Sequence, residues 1–483
     1  YNSIKVRDSH ALYSQSNSNN TLINNILLTE STSSAAAYIY NASVFTSSDH
    51  NDFYSSFAYP IYYSGNKTLE QWQAYGQDWS SVSIDLGYNT DSTLVPLALA
   101  LDNKGTPITS IADDINGTNR SETTPDMGAM EFTVEGSPLS GIYTVGTGGD
   151  FASISSVGVP LVSLGISGPV TFNILSGTYD DPVVPGQVYG SSATNTITFQ
   201  SADANADSVV WENTANSSAS NYVLKLNGTD HITLKNITFK NVGANYSQKI
   251  VLSGVTDSVT IDSTKFIGTV TNSNSSNYVS IYGYGAGGTG LKIKNSSFTD
   301  GGNYAIYLNS NNSSSSPTGL EISGNTFTNT YNGIYAKYFD ALTIRGNTIK
   351  GSYMYDYGVN LQYCDGANVI EGNTIYSPQL TYGIYLNYCQ ATTGNEATIA
   401  NNLISVEGNG IYIDYYNYYQ NVYYNSVNVR VGYALYTSYG NSNNTLKNNI
   451  LLTESTSSVA AYIYNASVFT SSDHNDFYTE YVY

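Results

Sequence analysis

Cationic side chains are scarce in this chain: 17 Lys and Arg stand against 37 Asp and Glu, a formal net charge of -20. With a pI of about 4.3 it lacks the positive surface that nucleic acid or an anionic membrane demands. Long apolar runs are missing too: none approaches the ~18 residues that span a bilayer, and mean hydropathy is -0.22. Membrane insertion by a helix is thereby excluded. The chain opens YNSIKV, without an initiator Met or a charged-then-apolar leader, so any export signal lies outside these residues. Histidine is limited to His10, His50, His231 and His474, no two at metal-ligand spacing. The HExxH, GxSxG and Walker patterns are absent, and with them the usual signs of metalloprotease, serine hydrolase and nucleotide chemistry. Two cysteines, Cys364 and Cys389, say little about compartment by number alone.

What is present is 46 Tyr and 42 Gly with abundant Asn, Ser and Thr, a mixture that favours strands and turns over helices. Disorder is disfavoured, because disordered chains are poor in aromatic and β-branched residues. The stretch at 18–54 returns at 442–478 with only Ile23/Lys447 and Ala35/Val459 exchanged, and 1–13 is similar to 424–436. Duplication this close implies tandem modules with a period of 424 residues, an array that this chain enters and leaves mid-module.

Within the second module a shorter repeat runs from 222 to 478, L-x-I-x-x-N-x-φ with φ a large apolar residue. It reads ITLKNITF, VTIDSTKF, LKIKNSSF, LEISGNTF, LTIRGNTI, NVIEGNTI, ATIANNLI, QNVYYNSV and TLKNNIL. Alternation puts the first and third letters inside, and the final apolar residue points inward after a bend. Asn325, Asn347, Asn373, Asn402, Asn425 and Asn449 recur two residues before that end, so they are expected to stack as an Asn ladder, with Asn tolerating left-handed backbone at the bend. A second strand column reads AIYLN, GIYAK, GVNLQ, GIYLN, GIYID and ALYTS. Its Tyr307, Tyr335, Tyr385, Tyr412 and Tyr436 are expected to face outward, one above another, as a ladder that stabilises the sheet or offers flat faces to a sugar or a neighbouring fibre. Cys364 and Cys389 follow this column at equivalent places on adjacent coils, close enough for a disulfide or a buried free pair.

Coils of this length are the signature of a parallel β-helix, an all-β solenoid. Residues 113–132, DDINGTNRSETTPDMGAMEF, resemble the closing segment of bacterial secreted right-handed parallel β-helix proteins of the pectin-lyase-like fold. There the pattern is D-I-D-G-x-x-R followed by D-I-G-A-x-E-F. The match runs through Asp114, Ile115, Asn116, Gly117, Arg120, Asp126, Met127, Gly128, Ala129, Glu131 and Phe132; Asn116 and Met127 depart from it, which weakens a metal reading more than the fold. Residues 143–179, YTVGTGGDFASISSVG onward, resemble the opening of the same family: a strand, a GGDF turn, a capping helix and a first coil. Asp150 would cap that helix, and Gly158 and Pro160 would hold it to a turn or two. The expected domains are therefore 1–133, the last coils and closing segment of one module; 134–141, a linker; and 142–483, the cap and coils of the next.

Charges on the coils are scattered: Lys337, Arg345, Asp365, Glu371 and Asp414. Asp365 and Asp414 are the carboxylates that could approach one another, but no catalytic residue is assigned and the chain is expected not to be an enzyme. Asp113, Asp114 and Asp126 could hold a calcium ion through oxygen ligands, against the alternative that Arg120 pairs with Asp126 or Glu131 to close the module. N-x-S/T sequons at Asn41, Asn66, Asn116, Asn236, Asn295 and Asn465 arise readily in this composition and mark glycosylation candidates. Together these features lead to an expected structural protein at the cell surface or outside the cell, a fibre, filament, stalk or adhesin whose partners are copies or modules of itself. The alternative is a carbohydrate-binding or polysaccharide-degrading β-helix protein.

Overall fold

Each eight-residue repeat makes two short strands and the connection back makes a third. Glu321–Ser323 leads through Gly324, at φ 64°, into Thr326–Thr328, and Asn332–Lys337 returns. Every strand pairs in parallel with its counterpart one coil on: Ile322 with Ile344, Phe327 with Ile349, Ile334 with Val359. The computed structural model describes all residues except 16, 58, 86–93, 286–287, 311–315, 353 and 481–483. In it, residues 139–479 form parallel sheets of 13, 12 and 10 strands, the three walls of a right-handed parallel β-helix. No helix among the described residues is long and apolar enough to cross a membrane.

Side chains of like kind stack up the interior because each coil repeats the one before. Phe239, Phe266, Phe298 and Phe327 are all buried, with successive ring centroids 5.5, 4.6 and 4.8 Å apart. Offset stacking of this kind adds to burial of the rings. Beside them runs a chain of buried amides: Asn325 Nδ2 donates to Asn347 Oδ1, Asn347 to Asn373, Asn373 to Asn402, Asn402 to Asn425 and Asn425 to Asn449, all at 2.9–3.0 Å. Each Nδ2 also donates to a main-chain carbonyl, as Asn373 does to Ile344. In the middle of the ladder each Oδ1 accepts both an N–H and an Nδ2 from the preceding coil, as Asn373 Oδ1 does from Asn347. The amides of the ladder are thus bonded inside the core. The left-handed backbone is not the ladder's own, however. It falls one residue earlier, on Gly324, Gly346, Gly372, Asn401, Tyr424 and Asn448, which leaves the ladder amide free to point inward.

Residues 1–133 form a smaller stack with its own sheets of three, four and two strands and its own apolar clusters, one around Phe53 and Trp72, the other around Ile26 and Met127. Helix Leu69–Gln73 starts on a Thr68/Gln71 capping box. The linker expected over 134–141 is shorter, since strand Leu139–Val145 already pairs with Ile166–Ile174. The capping helix runs longer than a turn or two, Ser155–Leu164 with Pro160 inside it. Its Val157 and Leu161 are buried in the main core, and this packing overrides the local breakers. Asp150 does not cap it; its carboxylate accepts from the Thr144 N–H and hydroxyl, bracing the preceding turn.

Candidate functional site

The outer face of the 10-stranded sheet carries the molecule's most regular surface chemistry. Tyr307 stacks on Tyr335 at 4.6 Å, Tyr385 on Tyr412 at 5.6 Å, Tyr412 on Tyr436 at 4.3 Å, and Tyr436 on Tyr462 at 4.9 Å. Asn360 interrupts this column between Tyr335 and Tyr385 and donates to Tyr304 Oη at 3.1 Å. These rings face outward, yet all but the exposed Tyr462 are buried or half-buried, because a second column lies against them. Tyr304, Tyr357, Tyr382 and Tyr433 come three residues earlier, with edge-on contacts such as Tyr382 to Tyr412 at 5.0 Å. Strict alternation assigns these residues to the core. They escape it because the next position holds Gly358 or Gly383, or else Ala305 or Ala434, where the strand bends close to its neighbour. A Cβ on Gly358 would lie 2.6 Å from the Gly383 carbonyl oxygen. The sequence signal was there in the recurrence of Tyr before Gly or Ala. A third column, Tyr338, Tyr363, Tyr388 and Tyr416, leaves the sheet at left-handed positions, and Lys337 Nζ lies 4.9 Å over the Tyr338 ring.

Carboxylates punctuate this face. Asp414 accepts from Tyr385 Oη at 2.5 Å and from Ser438 Oγ at 2.9 Å. Burial raises the carboxyl of Asp356, next to Tyr357. Burial, then the neighbouring Tyr382 and the charges of Asp356 and Asp414, pushes the Tyr357 phenol up to about 12, and burial likewise raises Tyr307, Tyr335, Tyr382, Tyr385 and Tyr412. At neutral pH the face is a band of neutral hydroxyls that both donate and accept. Asp365 is not part of it. Its N–H donates to Asp340 and its carboxylate accepts from the Gln390 N–H at 2.8 Å, a turn ladder that does not bring it to Asp414.

A concave feature lies where residues 1–133 meet the coils, a cavity of about 260 Å³. Tyr54, Phe57 and Tyr59 line one side with Glu70 and Gln71; Asn227, Asp230 and Asp257 line the other. Asn227 Nδ2 donates to Tyr54 Oη at 2.9 Å across it. Burial, with the Asp257 and Glu70 charges nearby, pushes the Asp230 carboxyl up to about 7, although one of its oxygens accepts the Asp257 N–H at 2.7 Å. No contact between these residues was foreseeable from spacing, since the two walls lie far apart in the chain, as do Tyr54 and Asn227 with 173 between their numbers.

The acid cluster of the closing segment binds main chain. Asp114 accepts the N–H groups of Asn116, Thr118 and Glu131, and Asp126 those of Asn103 and Phe132. Asp113 is exposed, and no group of three or more His, Cys, Asp or Glu suited to a metal occurs among the described residues, so the calcium expectation finds no ligand set here. Arg120 pairs with Glu131 at 2.9 Å rather than with Asp126. Cys364 and Cys389 are buried free thiols on adjacent coils, their sulfurs 3.4 and 3.6 Å from the carbonyls of Ala336 and Leu361; the structure contains no bond between them. Of the sequons, Asn41, Asn66, Asn116, Asn295 and Asn465 are exposed and Asn236 is half-buried.

With this geometry in view, comparison with known proteins is specific for the coils. Residues 332–479 match the family described as right handed beta helix region. No curated protein sequence matches the chain. Among solved structures, the GH136 lacto-N-biosidase from Eubacterium ramulus is similar at 9% identity and a TM-score of 0.46, over 71% of this chain and 68% of that one. The Dettilon tailspike protein is similar at 14% and 0.43, over 65% and 62%, and a rhamnogalacturonan lyase at 11% and 0.35, over 71% and 87%. The expectation that the chain is not an enzyme is corrected here: two of these structural neighbours are named as enzymes, the lacto-N-biosidase and the rhamnogalacturonan lyase.

Proposed function

We propose that this is an extracellular or cell-surface β-helix protein that engages carbohydrate, holding a neutral polysaccharide along the tyrosine face of its 10-stranded sheet. The observation that carries this reading is the pair of interlocked Tyr columns around Asp414, flat apolar rings edged with neutral hydroxyls, which suit the C–H faces and hydroxyls of sugars. Neutral glycans are favoured over polyuronates because the chain carries -20 net charge. The double variant Tyr385→Ala/Tyr412→Ala removes two adjacent faces. At ~0.5–1.5 kcal/mol per aromatic contact it is expected to weaken retention by roughly tenfold. Affinity electrophoresis on a panel of neutral polysaccharides measures this; unchanged retention of a folded double variant would sink the reading.

One observation favours hydrolysis in addition to binding. Asp230, its carboxyl raised to about 7 in a cleft shared with Asp257 and Glu70, has the protonation that a general acid needs, with further carboxyl groups beside it. On this reading Asp230→Asn is expected to cut reducing-sugar release by about 100-fold or more, while retention on the tyrosine face persists. Full activity in that variant would remove the cleft from the mechanism. The fibre, stalk or adhesin role, assembled from copies or modules of this chain, is supported by the sequence duplication alone.

A further inference from the structure

Four successive coils in the middle of the β-helix turn twice through left-handed backbone, and the two corners are filled differently. Between the first and second strands stand Gly324, Gly346, Gly372 and Asn401, at φ 64, 62, 65 and 55°, residue types that tolerate this backbone. Where the third strand ends, the same coils carry Tyr338, Tyr363, Tyr388 and Tyr416, at φ 60, 52, 55 and 53°. A bulky side chain is strained there.

The corner itself does not call for tyrosine. Gly228, Gly254 and Gly285 hold it after strands Leu224–Asn227, Ile250–Ser253 and Ile281–Tyr284, at φ 71, 77 and 69°, and Gly440 holds it one coil beyond Tyr416, at φ 83°. Main-chain bonding is the same with either residue. Gly228 N–H donates to the Ser253 carbonyl at 2.9 Å, as Tyr363 N–H does to that of Asn387 at 2.9 Å and Tyr388 N–H to that of Tyr415 at 2.8 Å. Ring stacking does not explain the choice either. Centroids along this column are 5.2, 4.9 and 5.2 Å apart, whereas Tyr307 and Tyr335, or Tyr412 and Tyr436, come to 4.6 and 4.3 Å from residues of ordinary negative φ.

The surroundings suit an uncharged ligand. Lys337, Gln362 and Asn387 lie side by side on adjacent strands, next to the corner column, and Tyr335 Oη donates to Gln362 Oε1 at 3.4 Å. The Lys337 ammonium is met by aromatic faces, 4.9 Å from the Tyr338 centroid and 5.1 Å from that of Tyr363. Asp340 and Asp365 follow two residues after these tyrosines, and their charge disfavours a carboxylated sugar.

We infer that Tyr338, Tyr363, Tyr388 and Tyr416 are glycan-binding residues, a second line of contacts beside the sheet face for the same extended neutral polysaccharide, and that the coil corner does not need them. The inference rests on the carbohydrate reading of that face. Backbone strain persists at ligand clamps, where the side chain is selected for what it touches rather than for the turn it makes. These rings are half-buried, each with an apolar body and a polar tip. Coils repeat at ~4.8 Å, so a glycan laid along the axis keeps the same contacts from one coil to the next.

The test is affinity electrophoresis of the full chain in gels of neutral polysaccharides, with the variant Tyr363→Gly/Tyr388→Gly. Glycine is what other coils use at this corner, so circular dichroism is expected to show the parental fold, while retention weakens by roughly tenfold through the loss of two aromatic contacts. Parental retention in the folded variant would overturn the inference. So would a variant that no longer folds, because the tyrosines would then be part of what holds the coil. Tyr385→Ala/Tyr412→Ala in the same gels separates the two readings: weakened retention there beside parental retention in the glycine variant removes this inference alone, and parental retention in both removes the carbohydrate reading as well.

Discussion

Asn373→Ala is expected to destabilise the β-helix by about 3 kcal/mol or more, although it removes only one small polar side chain. The reason is what it leaves behind. The Asn347 N–H and Nδ2 lose the Asn373 Oδ1 that accepts both, the Ile344 carbonyl loses its donor, and the Asn402 amide oxygen loses one of its two. Orphaned buried polar groups cost ~1–3 kcal/mol each, and coupled networks lose more than one bond's worth. Urea unfolding followed by circular dichroism measures the effect. A midpoint within error of the parent would mean that the ladder follows the fold rather than holding it.

Lys249→Met is expected to stabilise the protein at pH 7 by roughly 3–5 kcal/mol and to abolish a rise in stability with pH. Lys249 is fully buried, its Nζ donating to Ser247 Oγ at 3.2 Å, and burial lowers its pKa to about 7, opposed only in part by Asp300. An unfolded lysine titrates near ~10.4, so between those values the unfolded chain binds the extra proton. Stability therefore climbs from pH 7 to about pH 10, and below pH 7 the cost of the buried charge is present in full. Urea midpoints at pH 7 and 9.5 for both proteins check the sign. Parallel profiles would show that Lys249 reaches water. Its position explains why it is buried. Lys249 precedes Ile250 as Ala305 precedes Ile306 and Gly358 precedes Val359, so it occupies the column where the strand bends into the core.

Much of the architecture was readable because it repeats. An apolar residue at the first and third letters of ITLKNITF or LTIRGNTI has only one inward face available, and nine such repeats in a row leave a parallel solenoid as the way to bury all of them. The Asn and Tyr columns followed by simple alignment of the coils. Alternation failed where the backbone departs from it. Tyr304, Tyr357 and Tyr382 lie on the outer face because the glycine or alanine after each lets the strand turn, and Pro160 sits inside a helix that core packing holds together. Chemistry was less legible than fold. The expectation of no enzyme rested on the lack of clustered charges along the chain, a criterion blind to groups brought together from distant parts of it, such as Glu70 and Asp230.

By itself the sequence determined the coil, its in-and-out pattern and the stacking of like on like, because each is a periodic property that local spacing encodes. Only the tertiary structure decided which distant groups meet, Tyr54 with Asn227 and Glu70 with Asp230 in the cleft. Burial depends on what packs from elsewhere in the chain, as Tyr54, 6% exposed and bonded by Asn227, shows.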